Sequence, residues 1–237
     1  MISPAMANII GHLPKGVVRV LSKTILDGYV KKYARIKVTG MEKLKDIKRP
    51  IIFVCNHLSN SDALVLNKVF VNEDITFVAG VKLTGNVMTR LGINITKTIA
   101  IKTNNADRVA ILNIVKTLKS GNNILFFPEG TRSRTASLNK PKNGVILIQR
   151  LTGASIVPIG IFGSEKLLPI NETDMTLERF HKATVTINIG NQVILPGKNE
   201  GEDKHEFECR QMHYIMRGIA QLIPASYRGE YSDKLVE

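Results

Sequence analysis

From residue 36 onwards, short apolar runs alternate with longer segments of helical periodicity. Several of the apolar runs, such as NILFF at 123–127, contain almost no charged residue, which is typical of strands whose two faces are both covered by helices. The pattern predicts strands at 36–40, 50–56, 75–80, 97–102, 123–128, 155–163 and 184–190, and helices at 61–71, 82–91, 105–119, 142–152 and 203–222. This alternation predicts a single α/β domain with a mainly parallel or mixed sheet flanked by helices.

The start of the chain follows a different pattern. Between residues 15 and 34, aliphatic side chains fall near one helical face, and Lys and Arg lie largely on the other. Such a helix suits a membrane interface, but it also suits a cap on the core of the domain. We expect residues 1–35 to form a basic, amphipathic, membrane-associating helical segment that precedes a domain at 36–237.

The charge of the chain narrows its choice of partners. The 237 residues carry a formal net charge of +13, and residues 1–50 hold 11 Lys and Arg against three acidic residues, which is +8 of that total. A basic block of this kind attracts nucleic acid, an anionic membrane or a phosphorylated ligand, or it simply keeps the surface soluble. Aromatic residues make up only 5% of the chain, Trp is absent, and no zinc-finger or RRM signature occurs, so nucleic acid is disfavoured.

Segments that would direct the chain out of the cytoplasm are not evident in the sequence. No apolar run approaches the ~20 residues of a membrane span, and no signal-peptide pattern precedes the domain. The two cysteines, Cys55 and Cys209, are too few for a disulfide framework. We therefore expect an intracellular protein.

The loop after the second predicted strand, CNHLSNSD at 55–62, combines a histidine with an aspartate five residues later. On one continuous helix these two side chains would face different sides, so they meet only if His57 lies in the loop and Asp62 in the first turn of the next helix. A carboxylate on one imidazole nitrogen leaves the other nitrogen free to accept a proton. The alternatives are an ordinary turn with helix caps, or a metal site that includes Cys55 but lacks a fourth ligand at a familiar spacing.

The loop after the strand at 123–128 has the sequence PEGTRSR. Pro128 ends the strand, and Gly130 permits a tight turn that leaves amides exposed near Thr131 and Arg132. Amides, a hydroxyl and guanidinium groups in one turn suit phosphate, although an ordinary basic turn is the alternative. We expect Glu129 to pair with an arginine or to orient a substrate hydroxyl. No P-loop motif is present.

Together the two loops are more specific than either alone. NHLSNSD at 56–62 resembles the N-H-x4-D motif of the glycerolipid acyltransferase family, and FPEGTRS at 127–133 resembles its F-P-E-G-T-R-S motif. SIVPIGIFGSEKLLP at 155–169 is similar to a later V-P-x motif of that family. The resemblance covers roughly residues 36–190. It is closest to PlsC-like bacterial 1-acyl-sn-glycerol-3-phosphate acyltransferases of the short type without spanning helices.

The resemblance implies a role for each matching residue and a reaction without metal or redox cofactor. An acyl-CoA or acyl carrier protein would donate a fatty acyl group to lysophosphatidic acid, and phosphatidic acid would form at the cytoplasmic face of an anionic membrane. Backbone amides after His57, or in another loop, are candidates to stabilise the oxyanion. The resemblance implies that His57 is the general base, that Asp62 orients it, and that Asn56 and Glu129 shape the site. It implies phosphate binding by Gly130, Thr131, Arg132 and Lys102. It places Val157, Pro158 and Ile159 on the acyl-donor side, and the alternative for these three residues is ordinary core.

One position departs from the family pattern. Lys102 stands where the family usually has an arginine after a short strand, and lysine keeps the charge but lacks the bidentate fork. Arg108 or Lys97 is an alternative source of that contact. The departure leaves glycerol-3-phosphate or another lysolipid open as the acceptor. A non-catalytic lipid-binding protein with this fold is the alternative of another class.

Overall fold

The computed structural model describes residues 14–80, 95–102, 107–171, 173 and 177–232. Its strands are β1 (Ala34–Thr39), β2 (Ile51–Cys55), β3 (Ile75–Gly80), β4 (Lys97–Ile101), β5 (Asn123–Phe126), β6 (Ser155–Phe162) and β7 (Ala183–Ile189). They form one seven-stranded sheet in the order β1-β7-β6-β2-β5-β3-β4. Neighbouring strands run parallel except β6 and β7, which are antiparallel, so the sheet is mixed.

The helices in the described residues are α1 (Lys15–Tyr33), α2 (Asp62–Val69), α3 (Arg108–Lys119), α4 (Gly144–Thr152), the short α5 (Ser164–Leu167) and α6 (Lys204–Ala220), with 3-10 turns at Met41–Asp46, Ala225–Tyr227 and Gly229–Tyr231. All seven predicted strands are confirmed, and the predicted α/β fold with them. The predicted helix at 82–91 lies outside the described residues. α3 begins later than predicted because Asp107 caps it, accepting a hydrogen bond from the N–H of Ala110.

The core lies on both faces of the sheet. In β2, Ile51, Phe53 and Cys55 face the side covered by α1, α2 and α5, whereas Ile52 and Val54 face the side covered by α3, α4 and α6. All five side chains are fully buried. A central strand between two helix layers therefore has no polar face, and its chemistry is confined to the loop at its end.

Helix α1 combines the two situations that its sequence leaves open. In its second half, Leu26 and Val30 are buried in the core. In its first half, Val17, Val20 and Leu21 are exposed. The helix runs directly into β1 without a loop, and the division of the chain into 1–35 and 36–237 stays a prediction.

The turn between β6 and α5 depends on Gly163. This residue has a φ of 87°, and a Cβ atom built on it would lie 2.1 Å from the carbonyl oxygen of Thr184. The backbone N–H of Gly163 donates to Glu165 Oε2 at 2.9 Å. Both the left-handed backbone and the close approach of β7 therefore require glycine here.

Replacement of Gly163 by alanine should destabilise the protein. Strain at positive φ and the clash with Thr184 together should lower the free energy of unfolding by at least about 2 kcal/mol. Thermal unfolding followed by circular dichroism measures this as a fall in Tm of at least about 4 °C. Gly28→Ala in α1 is the matched control, because no atom lies within 4 Å of its Cβ position, and it should raise stability by about 0.5–1 kcal/mol. Equal Tm values for Gly163→Ala and wild type would contradict this account of the turn.

Candidate active site

The two loops singled out by their sequence meet at one edge of the sheet. β2 and β5 are neighbouring parallel strands, so their carboxyl ends, and the loops that follow, lie side by side. The backbone N–H of Ser133, in the second loop, donates to the carbonyl oxygen of His57, in the first, at 2.7 Å. The two loops that carry the sequence motifs are therefore in direct contact.

His57 and Asp62 are in direct contact. Nδ1 of His57 lies 2.7 Å from Oδ2 of Asp62, whose side chain is completely buried. Asp62 begins α2, and the same Oδ2 atom accepts the backbone N–H groups of Leu58 at 2.7 Å and Ser59 at 2.9 Å. The carboxylate thus folds the loop back on itself and holds the imidazole at Nδ1.

The other nitrogen of His57 is the one placed for chemistry. A carboxylate only accepts hydrogen bonds, so Nδ1 carries the proton and Nε2 is the basic nitrogen. The imidazole stacks on Phe127, with ring centroids 4.1 Å apart and planes 18° apart, and its side chain stays 19% exposed. The ring is therefore fixed on one face and at one nitrogen, while part of it faces solvent.

The first backbone amides after His57 already donate hydrogen bonds within the protein, so they are not available to stabilise an oxyanion. Leu58 and Ser59 donate to Asp62, and the N–H of His57 itself donates to Glu129. The expectation that amides directly after His57 stabilise an oxyanion therefore fails for these two residues. A donor has to come from another part of the site.

The neighbouring serines serve the loop rather than the reaction. The Oγ of Ser59 donates to the carbonyl oxygen of Leu168 at 2.7 Å, which ties the loop to the end of α5. The Oγ of Ser61 lies 3.0 Å from that of Ser59, and both side chains are buried. Neither hydroxyl is arranged as a nucleophile next to His57.

Asn56 shapes the loop from below. Its side-chain amide donates to the carbonyl oxygen of Ile161 at 2.7 Å and accepts the N–H of the same residue at 2.8 Å. This pair continues the contact between β2 and β6 past the last strand residue, Cys55. Asn56 is buried and acts on the position of His57 through the backbone.

Glu129 joins the two loops through backbone groups. Its Oε1 accepts the N–H of His57 and its Oε2 accepts the N–H of Asn139, both at 2.9 Å. Burial raises the pKa of this carboxyl, and the two backbone hydrogen bonds, together with the charge that His57 carries when it is protonated, oppose that rise. The sequence predicted an arginine or a substrate hydroxyl as the partner, but backbone N–H groups occupy both oxygens.

Arg132 pairs with a residue that the sequence did not suggest. Its Nη1 donates to Oε1 of Glu178 at 2.7 Å, and Glu178 is buried. Oε2 of Glu178 accepts a hydrogen bond from Nδ2 of Asn60 at 2.7 Å. Glu178 lies 46 residues from Arg132 and 118 from Asn60 in sequence, and no local pattern marks it.

Gly130 and Thr131 form the exposed part of the second loop. Gly130 has a φ of 70°, and its N–H closes a tight turn by donating to the carbonyl oxygen of Phe127 at 3.0 Å. A Cβ at Gly130 would lie 3.0 Å from Cε of Lys142, so a lysine stem already covers one side of the turn. Gly130 and Thr131, two of the four residues predicted to bind phosphate, are at the surface, as a binding role requires.

The predicted residues at β4 lie further away. Lys102 follows β4 at the same edge of the sheet and is exposed, but three strand spacings separate β4 from β2, which is about 14 Å. Arg108 begins α3 near that edge. Lys97 is the first residue of β4, at the opposite edge, where it pairs with Asp74. The structure therefore removes Lys97 as a substitute for the family arginine.

The three residues predicted for the acyl-donor side lie within β6. Val157 and Ile159 are completely buried in the core on the α1 side of the sheet. Pro158 is also buried, and its ring is close to Gly190 and Gly218 on the α6 side. The structure thus matches the alternative left open by the sequence, in which these residues are core.

Within the described part of the chain, no three His, Cys, Asp or Glu side chains lie together in a way that could hold a metal ion. None of the described helices is both long and apolar enough to cross a membrane.

Comparison with known proteins identifies a family whose sequence model covers both loops of the site. A sequence model of the acyltransferase family matches residues 35–162, a range that contains His57, Asp62, Glu129 and Arg132. The chain belongs to the acyltransferase family. The two sequence motifs had indicated this family, and the match confirms it.

Two relatives of this chain are named for an acyltransferase activity. A chloroplastic 1-acyl-sn-glycerol-3-phosphate acyltransferase from Arabidopsis thaliana is 30% identical over 140 residues, which make up 58% of this chain and 38% of the relative. A probable 1-acyl-sn-glycerol-3-phosphate acyltransferase from Mycoplasma genitalium is 31% identical over 137 residues, 54% of this chain and 50% of the relative. The matches thus span half or less of these relatives.

A solved structure supports the fold of this acyltransferase. The crystal structure of the 1-acyl-sn-glycerophosphate (LPA) acyltransferase PlsC from Thermotoga maritima superposes with a TM-score of 0.59 at 22% identity. The superposition covers 88% of this chain and 80% of the other. At this level of identity the likeness concerns the architecture.

The two thiols of this acyltransferase should differ sharply in reactivity. Cys55 is fully buried, and burial, followed by the negative charges of Asp62 and Glu129, raises the pKa of its thiol well above the usual value. Cys209 is exposed on α6. Titration of the native protein with a disulfide reagent at about pH 8 should therefore modify Cys209 alone, and denaturant should release Cys55. Cys209→Ser is the control and should abolish native-state labelling; rapid labelling of that variant would reopen a nucleophilic role for Cys55.

Proposed function

We propose that this chain transfers a fatty acyl group from an acyl thioester to the free hydroxyl of 1-acyl-glycerol-3-phosphate, which gives phosphatidic acid. The donor is an acyl-CoA or an acyl carrier protein. The observation that carries the proposal is the 2.7 Å contact between His57 and Asp62 beside a phosphate-type loop. The relatives from Arabidopsis thaliana and Mycoplasma genitalium are named for this acceptor, the second as a probable enzyme, and their names support the proposal.

In the proposed reaction, Nε2 of His57 removes the proton from the acceptor hydroxyl. Asp62 holds Nδ1 and stabilises the imidazolium that forms. The acceptor oxygen then attacks the thioester carbonyl, the tetrahedral intermediate collapses, and the C–S bond breaks. The departing thiolate takes the proton from His57, so the free thiol leaves and the base is regenerated.

Direct transfer, without an acyl-enzyme, agrees with the side chains around His57. The buried Ser59 and Ser61 hydroxyls are engaged within the loop, and the Cys55 thiol is buried with a raised pKa. The substrate hydroxyl is therefore the nucleophile. The intact geometry of the His57 and Asp62 pair also speaks against a purely lipid-binding protein.

The acceptor phosphate is assigned to the second loop. Gly130 and Thr131 offer exposed groups at the turn, and Arg132 supplies the fixed positive charge. Lys102, an exposed cation at the same edge of the sheet, is assigned an assisting role in binding the phosphate of the acceptor. Glu129 keeps this loop at a constant distance from His57.

We propose that the enzyme binds as a peripheral protein at the cytoplasmic face of an anionic membrane through residues 9–35. In the described part of this segment, Val17, Val20 and Leu21 are exposed on a helix that also carries Arg19 and Lys23. Apolar side chains enter the headgroup region, and each basic residue near the surface adds roughly 1 kcal/mol of attraction to an anionic leaflet.

Replacement of His57 by alanine should abolish turnover without unfolding the protein. Removal of the general base should lower kcat at least about a hundredfold. The measurement is acyl transfer from a long-chain acyl-CoA or acyl carrier protein to lysophosphatidic acid on anionic vesicles, with glycerol-3-phosphate as a second acceptor. His205→Ala, an exposed histidine on α6, is the matched control and should retain the wild-type rate. A fully active His57→Ala enzyme would remove His57 from the mechanism. If product forms with glycerol-3-phosphate but not with lysophosphatidic acid, the proposed acceptor is wrong.

Replacement of Val20 by glutamate should weaken membrane binding. The change removes an apolar contact and adds a negative charge on the proposed lipid-facing side of α1, so binding to anionic vesicles should fall roughly tenfold. Flotation of the protein with vesicles measures the bound fraction. Val71→Glu is the matched control, since Val71 is 70% exposed and Val20 is 65% exposed. An equal bound fraction for the two variants would show that α1 does not contact the membrane.

A further inference from the structure

Glu178 is a buried carboxylate that the reaction described above does not use. Its side chain is 4% exposed, and both of its oxygens are engaged, Oε1 with Nη1 of Arg132 and Oε2 with Nδ2 of Asn60. Asn60 belongs to the loop that carries His57 and Asp62, and Arg132 belongs to the loop after β5. One carboxylate therefore bridges the acid–base loop and the phosphate-type loop.

The segment that carries Glu178 is itself held in place. Phe180, two residues later, is buried and stacks on Tyr29 of α1 with ring centroids 5.2 Å apart. The backbone N–H of His181 donates to the carbonyl oxygen of Leu167 at 2.8 Å. These two contacts fix the backbone on the carboxyl side of Glu178. Its carboxylate is therefore held in one place and does not move with the side chain of Arg132.

The ion pair between Arg132 and Glu178 is more deeply buried than the pair between Arg150 and Glu208. Arg132 is only 16% exposed, whereas Arg150, which pairs with Glu208 on the surface of α4 and α6, is 44% exposed. A guanidinium is planar, so one short charge-assisted hydrogen bond to a rigid carboxylate restricts the direction of the whole group. A long arginine side chain without such a partner would sample many rotamers at a binding site.

We propose that Glu178 is a positioning residue that orients the guanidinium of Arg132 toward the phosphate of the acceptor. This inference rests on the proposed function, because it takes the acceptor to be a phosphate monoester. Through Asn60, the same carboxylate holds the phosphate-type loop in register with the loop of His57. Glu178 therefore acts on the binding of the acceptor, through Arg132, and has no part in the binding of the acyl donor.

Steady-state kinetics of five variants, including Arg132→Ala as a background, test the proposal. In Glu178→Ala the KM for lysophosphatidic acid should rise about tenfold or more, while the KM for the acyl thioester stays within about twofold. Glu178→Gln should have a smaller effect, because its amide oxygen can still accept from Arg132 and the amide of Asn60 can rotate to match. In an Arg132→Ala background, Glu178→Ala should raise the acceptor KM no further. Glu208→Ala, which breaks the pair with Arg150, is the matched control and should leave both KM values unchanged.

A loss of folding is separated from a loss of positioning by Tm and by the double variant. Arg132→Ala leaves a buried charge unpaired, so the double variant should be the more stable of the two. Equal rises in both KM values, an unchanged acceptor KM, or additive effects of the two alanine substitutions would each overturn the assignment.

A binding measurement distinguishes failure of this inference from failure of the proposed function. Isothermal titration with glycerol-3-phosphate probes the phosphate site without turnover. If the wild type binds this probe but transfers no acyl group, the proposed function fails, and loss of binding in Glu178→Ala but not in Glu208→Ala still supports Glu178. If the wild type does not bind the probe and has no activity with lysophosphatidic acid, or if Glu178→Ala binds the probe as the wild type does, the positioning role is wrong.

Discussion

A single carboxylate oxygen organises the reacting end of this molecule. Oδ2 of Asp62 receives the N–H groups of Leu58 and Ser59 together with Nδ1 of His57. Three donors on one buried oxygen fix both the backbone of the loop and the imidazole that the loop presents. The second oxygen of Asp62 is buried without a hydrogen-bond partner among the described residues. The loop thus depends on this one side chain, which fixes the backbone of the loop and the imidazole together.

Two further buried acids connect this loop to other parts of the site by hydrogen bonds. Glu129 holds the loop after β5 to the N–H of His57, and Glu178 holds Arg132 to Asn60. Each acid is buried at a cost in desolvation that only complete hydrogen bonding offsets. In a chain with an excess of positive charge, these three carboxylates are the internal ties of the site. The hydrogen bonds of Asp62 lie within one loop, whereas those of Glu129 and Glu178 join segments that are far apart in sequence. The site is therefore held together across the sheet edge and not only along one loop.

The sequence was informative about features whose determining residues lie close together in the chain. The strands are visible because a strand covered on both faces has no polar positions, and the contact between His57 and Asp62 is visible because both residues belong to one loop between a strand and a helix. The partner of Arg132 was missed because Glu178 lies in a polar stretch whose approach to the site depends on tertiary packing. The partners of Glu129 were missed because backbone N–H groups have no sequence signature. The pattern of α1 left two environments open, since burial of one half of a helix and exposure of the other produce the same periodicity.

The position of β2 in the middle of the sheet also has a consequence for the order of assembly. Its partners are contributed late, since Ile52 pairs with Ile124 of β5 and Ile51 pairs with Ser155 of β6. The neighbours that complete the loop of His57 therefore come from segments some 70 to 105 residues downstream, as the contacts of His57 with Glu129 and of Asn56 with Ile161 show. Contacts of such long range form slowly and cooperatively during folding. A nascent chain that has exposed only its first half to the folding environment would hold the histidine and the aspartate but not the residues that surround them. The proposed acid–base pair is therefore complete only when the central strands have come together.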